Sequence, residues 1–306
     1  MSTEALRQVA TAHMQRGRDL VATGERDALR RAVTLFDRAI SIRRGTAAAA
    51  PAGRYDSAGA WLNRAEALLA LGDPGSLDAA LQALDEAVPL LETLPLDADP
   101  RYRRRLVVAL QNRAIVRRRI GHDTWKALPD LFKALDVIET DAGLGVDDGR
   151  VARAAVWVNV ADAQRAEPDP EAWRRAVVSA QRAVTILDGI EEHDVRAAGI
   201  GVMARHVCCE AAALWLARMS SETAASGFGS CADIVHAASD AVDEALGLIG
   251  RWERRGVDTF RATGDDLFEF GRRWYGCYQP QFLAEFEAEH SRGENAASHR
   301  RESSLA

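Results

Sequence analysis

Apolar residues recur along this chain at the spacing of an α-helix, in stripes that are separated by polar turns. Three stripes have successive separations of 4, 3 and 3 residues: Ala32, Phe36, Ala39 and Ile42; Ala80, Leu84, Ala87 and Leu90; Ala176, Ala180, Ala183 and Ile186. A fourth stripe lies between the second and the third of these and begins one residue earlier in its period. We assign it to Leu128, Phe132, Leu135 and Ile138. One helix face collects residues at such separations, whereas a half-buried strand alternates apolar and polar residues. The pattern predicts an all-α protein.

A small residue precedes each stripe at an almost constant period. It is Gly17, Ala65, Ala114 and Ala161, and the successive separations are 48, 49 and 47 residues. A helix breaker follows each of them after seven residues, at Gly24, Gly72, Gly121 and Pro168. Each period therefore predicts two helices joined by a turn, and the small residue allows those helices to approach closely.

The order of these residues resembles the tetratricopeptide repeat. Its signature positions are matched in the second period by Trp61, Ala65, Gly72, Ala80, Leu84 and Ala87. The turns, such as GDPGSLDAA, are about three residues longer than usual, which is similar to a variant in bacterial arrays linked to signalling and caspase-like proteases. The resemblance implies a right-handed α-solenoid of about five helix pairs with C-terminal capping helices. It is weakest in the third period, where Arg117 replaces a large apolar residue.

The predicted organisation has four parts. Residues 1–190 hold four regular repeats, and residues 191–256 hold a divergent fifth pair whose second helix restores the stripe at Ala238, Val242, Ala245 and Leu248. Residues 257–290 are predicted to form two capping helices separated near Pro280, and 291–306 a disordered polar tail. The capping segment carries Phe260, Phe268, Phe270, Trp274, Tyr275, Tyr278, Phe282 and Phe286. Exposed aromatic clusters usually mark contacts, so a homodimer interface is the alternative for this segment.

The first helices of a solenoid line its concave surface, so their faces directed away from the second helices are the candidate partner-binding groove. The groove set is Met14, Arg18, Val21, Leu62, Glu66, Leu69, Gln111, Ile115, Arg118, Val158, Asp162 and Arg165. Its apolar residues and charges of both signs suit a peptide with apolar anchors. In the alternative, the superhelix is tight and these residues contact one another. Some tetratricopeptide proteins hold a terminal carboxylate with lysine, but Met14 and Val108 stand at those positions here, so that mode is not expected.

The first helix of the third repeat is rich in arginine, with no acidic residue between Arg101 and His122. The candidate anion patch is Arg101, Arg104, Arg105, Arg113, Arg117 and Arg118. Arginine forks pair bidentately with carboxylates and phosphates, so the helix could attract an acidic peptide, a phosphate group or, less readily, a nucleic acid. In the alternative, acidic residues of neighbouring helices neutralise it within the fold, for example Asp85, Glu86 and Asp97.

Ligand-type atoms share one helix face at His206, Cys209 and Glu210, which are spaced i, i+3 and i+4. A metal would need a further ligand, such as Cys231 or His236; the alternative is a buried cysteine beside a structural histidine. The sequence lacks the motifs GxxxxGK, GxGxxG, HExxH and GxSxG. No catalytic residue, cofactor or metal is therefore predicted, and the chain is not expected to be an enzyme.

Composition limits the classes of function that remain. A net charge of −6 at pH 7 argues against general nucleic-acid binding, which needs a basic surface. The first residues lack the pattern of a secretory signal, no uncharged apolar stretch reaches about 18 residues, and the cysteines are too few for a disulfide framework. The expectation is a cytoplasmic adaptor that binds a protein or peptide partner and no membrane. The alternative is a sensory module that binds an acidic or phosphorylated ligand through Arg101–Arg119, and a further alternative is an enzyme or metal-binding protein that uses the region of His206.

Overall fold

The computed structural model describes residues 2–46, 50–121, 124–139, 145–222 and 230–290, and within these ranges the regular structure is helical. The helices are α1 (Thr3–Val21), α2 (Arg26–Thr46), α3 (Pro51–Leu71), α4 (Pro74–Glu92), α5 (Pro100–Ile120), α6 (Ala127–Glu139), α7 (Val146–Arg165), α8 (Pro170–Leu187), α9 (Val195–Glu222), α10 (Ser230–Arg254), α11 (Arg261–Tyr278) and α12 (283–290). The predicted all-α class is confirmed. The predicted tail, 291–306, lies outside the described residues.

Within each compact unit, helices that follow one another in the sequence pack against each other, which gives the helix pairs that the sequence predicts. The chain divides into two compact units, Met1–Gly149 and Arg150–Ala306. In the first unit every helix from α1 to α6 contacts the next, and α3 also contacts α1 and α5, the first helices of the neighbouring pairs. In the second unit, α8 contacts α9, α9 contacts α10 and α10 contacts α11. Such sequential pairing is typical of an α-solenoid.

A glycine ends the first helix of the second and third pairs, as predicted. Gly72 and Gly121 follow α3 and α5 with φ angles of 71° and 81°, in the left-handed region that glycine adopts without steric penalty. The backbone N–H of Gly72 donates to the carbonyl oxygen of Leu68, 3.2 Å away. Asp73 then begins α4 by accepting a hydrogen bond from the backbone N–H of Ser76. The turn is thus fixed at both helix ends.

The small residue of each period lies in the interior, as the predicted close approach requires. Gly17, Ala65, Ala114 and Ala161 are all buried. A Cβ added at Gly17 would lie 2.7 Å from Cζ of Phe36, whose side chain is fully buried. In the next two repeats the position of Phe36 holds the smaller Leu84 and Leu131. Glycine replaces alanine in the first repeat because the opposing ring needs the space.

We expect Gly17→Ala to lower the free energy of unfolding by about 1–3 kcal/mol, the range for a methyl group forced into a packed core. Gly75→Ala, in the first turn of α4, is the matched control, because a Cβ there would find its nearest neighbour, Oδ1 of Asp73, at 3.8 Å. Urea titrations followed by circular dichroism measure both variants. Equal stabilities would show that the ring of Phe36 moves aside without strain.

The second helix of the third repeat has a register different from the predicted one. Phe132 is 44% exposed, whereas Leu131 is fully buried. The buried residues that restore the separations 4, 3 and 3 are Ala127, Leu131, Ala134 and Val137. The assignment to Leu128, Phe132, Leu135 and Ile138 is therefore wrong by one residue, although Leu135 and Ile138 are buried as well. A search for the largest apolar side chain selects Phe132, but the close approach of two helices depends on the alanines.

The fifth pair, α9 and α10, follows the prediction at the second helix. Ala238, Val242, Ala245 and Leu248 are all buried in the core of the second unit. Among the described helices, α9 contains one stretch, Val195–Arg218, that is long and apolar enough to cross a membrane by length and composition. About 61% of its most apolar window is buried inside the protein. A core helix meets the same criterion, so this stretch is weak evidence for a membrane span.

Candidate binding surfaces

The predicted groove residues of α1 and α3 differ in exposure. Met14 and Leu62 are only 6% and 5% exposed, so they belong to the interior. The remaining members of the set on these helices keep accessible surface: Arg18, Val21, Glu66 and Leu69. For Met14 and Leu62, the alternative of contacts within the fold is the one that the structure supports. A ligand on this surface would meet the exposed Arg18 and Glu66 and the partly exposed Val21 and Leu69.

Glu66 is exposed, but neighbouring groups affect its carboxyl group. Loss of hydration raises the pKa of Glu66, and the positive charge of Arg105 only partly opposes this shift. Glu66 therefore lies close enough to α5 for the charge of Arg105 to act on its carboxyl group.

One accessible face of α5, called the α5 face below, runs along the whole helix. Its members are spaced i, i+4, i+7, i+11 and i+14: Arg104, Val108, Gln111, Ile115 and Arg118. None of them is buried, and Val108 is 41% exposed. The face is apolar at Val108 and Ile115 and has an arginine at each end. Three of its members belong to the predicted groove, and Arg104 belongs to the predicted anion patch.

In the second unit, α7 contributes an ion-paired surface. Val158 is 4% exposed and lies in the interior. Arg165 donates to the carboxylate of Asp162 through Nη2, 2.6 Å away, and its Nε lies 3.5 Å from Oε2 of Glu210 on α9. The two charged groove residues predicted on α7, Asp162 and Arg165, are therefore paired with each other, and Arg165 also approaches Glu210 of the same unit.

The adjacent surface of α9, called the α9 face, carries apolar residues that the sequence did not single out. Its members are spaced i, i+3, i+7 and i+11: Met203, His206, Glu210 and Leu214. Met203 is 56% exposed and Leu214 is 39% exposed. The sequence could have indicated this face, because its members have the spacing of the groove positions on the first helices of the other repeats. The irregular length of the fifth pair obscured that register.

The six arginines of the predicted anion patch are divided among three surfaces, because α5 turns by about 100° per residue. Arg101 and Arg105 are directed towards α3, where their guanidinium carbons lie 5.9 and 3.7 Å from the ring centre of Tyr55. Arg113 and Arg117 are directed towards acidic groups of α4 and α6, and Arg104 and Arg118 belong to the α5 face.

Asp130 neutralises two of these arginines from inside the first unit. Its side chain is only 6% exposed and accepts hydrogen bonds from Nε and Nη2 of Arg113, at 2.9 and 2.6 Å. Nη1 of Arg117 donates to the same carboxylate at 2.8 Å. Asp85 adds a contact of 3.2 Å to Nη1 of Arg113, and Asp97 pairs with Arg103. Neutralisation within the fold therefore applies to this side of α5, and its main carboxylate is one that the sequence analysis missed.

In the fourth repeat, the positions of Arg117 and Asp130 are also occupied by two polar residues, Gln164 and Ser179. Ser179 is buried, and its Oγ donates to Oε1 of Gln164, 2.8 Å away. In the second repeat the corresponding positions hold the apolar residues Leu68 and Ala83. Polar residues thus replace apolar ones at both positions together. Because both positions change together, a comparison of the repeats could have predicted from the sequence that Arg117 pairs with Asp130.

The residues of the hypothetical metal site do not converge. Nε2 of His206 lies 3.9 Å from Oε1 of Glu210, but Cys209 is fully buried and its Sγ donates to the carbonyl oxygen of Ala238, 3.6 Å away on α10. Loss of hydration raises the pKa of the Cys209 thiol well above its usual value, whereas a metal ligand must be a thiolate. Within the described ranges, no group of three or more His, Cys, Asp or Glu side chains is placed to hold a metal ion.

The aromatic residues near the C-terminus form a cap on their own unit. Trp274, Tyr275 and Phe286 are at most 5% exposed and pack in the same core as α9 and α10. The hydroxyl of Tyr275 donates to Oδ2 of Asp243 on α10, 2.6 Å away. Phe282 is 46% exposed, so a homodimer contact through this segment would have to use surface residues of that kind.

The geometry described above defines an all-α protein of sequential helix pairs with capping helices. No protein-family model matches the chain, and no curated protein matches it with significant similarity. The resemblance to tetratricopeptide repeats therefore depends on the signature positions and on the helix pairs themselves.

Proposed function

We propose that this chain is a tetratricopeptide-like repeat protein that binds a partner protein through the faces of its first helices. The observation that carries the proposal is the exposure of apolar side chains on those faces: Val108 on α5, and Met203 and Leu214 on α9. Covering such side chains is favourable, because apolar surface leaves water. First-helix faces are also the usual partner sites of helical-repeat proteins.

The charges beside these apolar positions favour a particular kind of partner segment. On the α5 face, Arg104 and Arg118 stand at the two ends of the apolar stretch formed by Val108 and Ile115. Electrostatic complementarity with Arg104 would then select a segment that carries an acidic group beside its apolar side chains. Binding of this kind requires no chemical step.

We expect the double variant Val108→Glu, Ile115→Glu to weaken partner binding by tenfold or more. Full burial of an exposed valine or isoleucine contributes about 1.5–3 kcal/mol, and the partly exposed Val108 and Ile115 would each supply a part of that. Quantitative capture from a native lysate, followed by mass spectrometry, identifies proteins that the parent retains and this variant loses. Direct titration of the identified protein then gives the affinities.

Val178→Glu is the matched control, because Val178 is 60% exposed but lies on α8, a second helix outside both faces. This variant should retain the same proteins as the parent. If the parent, the double variant and Val178→Glu recover the same partners equally, the α5 face has no binding role. Circular dichroism of each variant shows that a lost partner does not result from unfolding.

A further inference from the structure

Two arginine side chains reach the first turns of α3 from different helices. Arg43, near the end of α2, donates through Nη1 to the carbonyl oxygen of Asp56. Arg105 of α5 donates through Nη1 to the carbonyl oxygen of Tyr55, 3.2 Å away. Because the two acceptors belong to consecutive residues, both guanidinium groups are anchored at the same part of α3.

These anchors leave the positive charges in place. Within the described residues, neither Arg43 nor Arg105 forms an ion pair with a carboxylate; each hydrogen bond goes to an uncharged carbonyl oxygen. A guanidinium group has five N–H donors, so most donors of each remain for a ligand. Loss of hydration lowers the pKa of both side chains, as expected for cations that the protein only partly neutralises.

The position of Arg105 is fixed before any ligand binds. Its guanidinium carbon lies 3.7 Å from the ring centre of Tyr55, which stacks against it. It also crosses α3 at Gly59, where a Cβ would lie 2.7 Å from Nη1. A side chain that is already held in place loses less conformational entropy when it binds.

The charged groups around the two arginines come from α1, α3 and α5. Arg18 contributes a third positive charge that acts on both arginines. Two carboxyl groups oppose them: Asp56 acts on both arginines, and Glu66 acts on Arg105. A fourth arginine, Arg101, is paired with Asp99 at 2.6 Å. Three arginines against two carboxyl groups leave an excess of positive charge.

We propose that Arg43 and Arg105 form a binding site for a phosphate-type oxyanion, either free phosphate or a phosphorylated side chain of a bound peptide. Two guanidinium groups that approach from different helices need a ligand with acceptors in more than one direction. Phosphate oxygens are arranged tetrahedrally and meet this need, whereas the two oxygens of one carboxylate lie in a plane. The site does not include the α5 face, so it goes beyond the partner-binding proposal.

Calorimetric titration of the full chain with inorganic phosphate, at constant ionic strength, tests the site. We expect Arg43→Gln and Arg105→Gln each to weaken phosphate binding by about tenfold or more, the effect of losing charge-assisted hydrogen bonds. Gly59→Ala should also weaken binding, because it displaces Arg105 without changing any charge. Arg31→Gln, an exposed arginine of α2 outside the cluster, should bind phosphate like the parent.

A phosphoserine peptide and its unphosphorylated counterpart distinguish the two sources of the oxyanion. Tighter binding of the phosphopeptide than of inorganic phosphate, lost in Arg105→Gln, supports a phosphorylated partner. Equal affinities support free phosphate. The proposal is overturned if the parent does not bind phosphate at millimolar concentration, or if the arginine variants that circular dichroism shows to be folded bind like the parent. Val108→Ala, which removes apolar surface from the α5 face without adding a charge three residues from Arg105, should bind phosphate normally, which separates this test from that of the partner-binding proposal.

Discussion

Gly201→Ala is expected to lower the free energy of unfolding by about 3–5 kcal/mol, the effect of breaking a buried ion pair. A Cβ at this position would lie 2.7 Å from Cδ of Glu191 and would overlap its Oε1. That carboxylate accepts two hydrogen bonds from Arg205, at 2.7 and 3.1 Å, and the side chain of Arg205 is 8% exposed. The indole N–H of Trp252 also holds the carbonyl oxygen of Glu191, so its backbone cannot simply retreat. Arg205 would keep only Glu244, 3.0 Å from its Nε.

Gly247→Ala is the control for this variant. It also lies within a helix of the second unit, but its Cβ would meet only the flexible end of Arg251, at 3.5 Å. We expect it to stabilise the protein by up to about 1 kcal/mol through the higher helix propensity of alanine. Urea unfolding followed by circular dichroism compares the two. If Gly201→Ala is as stable as Gly247→Ala, Glu191 is not held in place by Arg205.

Asp130→Ala has the second large expected effect, again about 3–5 kcal/mol of lost unfolding free energy. The substitution removes a buried carboxylate that holds Arg113 and Arg117. Arg113 keeps its ion pair with Asp85. Arg117 is left with the carboxylate of Asp85 at 3.7 Å and with a hydrogen bond to the carbonyl oxygen of Lys126. A partly buried guanidinium group without a close carboxylate is the main reason for the loss.

The double variant Arg117→Leu, Asp130→Ala is expected to regain stability to within about 1 kcal/mol of the parent, since apolar residues often replace a buried ion pair without loss. It reproduces the second repeat, where the two positions hold Leu68 and Ala83. The contact between Arg113 and Asp85, which the double variant keeps, also has an equivalent there: an ion pair between Arg64 and Asp37 at 2.7 Å. A double-mutant cycle measures the coupling. A double variant no more stable than Asp130→Ala would show that the two repeats do not share this packing.

The sequence was most informative where one residue type had one role. Small residues such as Gly17 and Ala65 marked the close approach of helices, and Gly72 and Gly121 marked helix ends, because sterics alone decide these positions. The stripe of α10 could be predicted for the same reason. The register of α6 could not be predicted, since Phe132 and Leu131 are adjacent and equally apolar, and only packing decides which of them is buried.

The partners of charged residues depended on long-range contacts. An arginine on a helix can reach several neighbours, so α5 was predicted as one basic surface, yet Arg105 is directed towards α3 and Arg113 towards Asp130. The burial of groove positions also depended on long-range contacts. Leu62 and Gln111 occupy equivalent places in their repeats, but Leu62 is 5% exposed and Gln111 keeps more surface.

The sequence by itself therefore determined the helical class, the period of about 48 residues, the helix ends and the small residues at the helix contacts, because local sterics and apolar spacing fix them. Only the tertiary structure decided which face of each helix stays in water and which carboxylate neutralises which arginine. These features depend on side chains from different helices that meet after folding. The exposed Val108 and the carbonyl-anchored Arg43 and Arg105, on which the two proposals depend, are of this second kind.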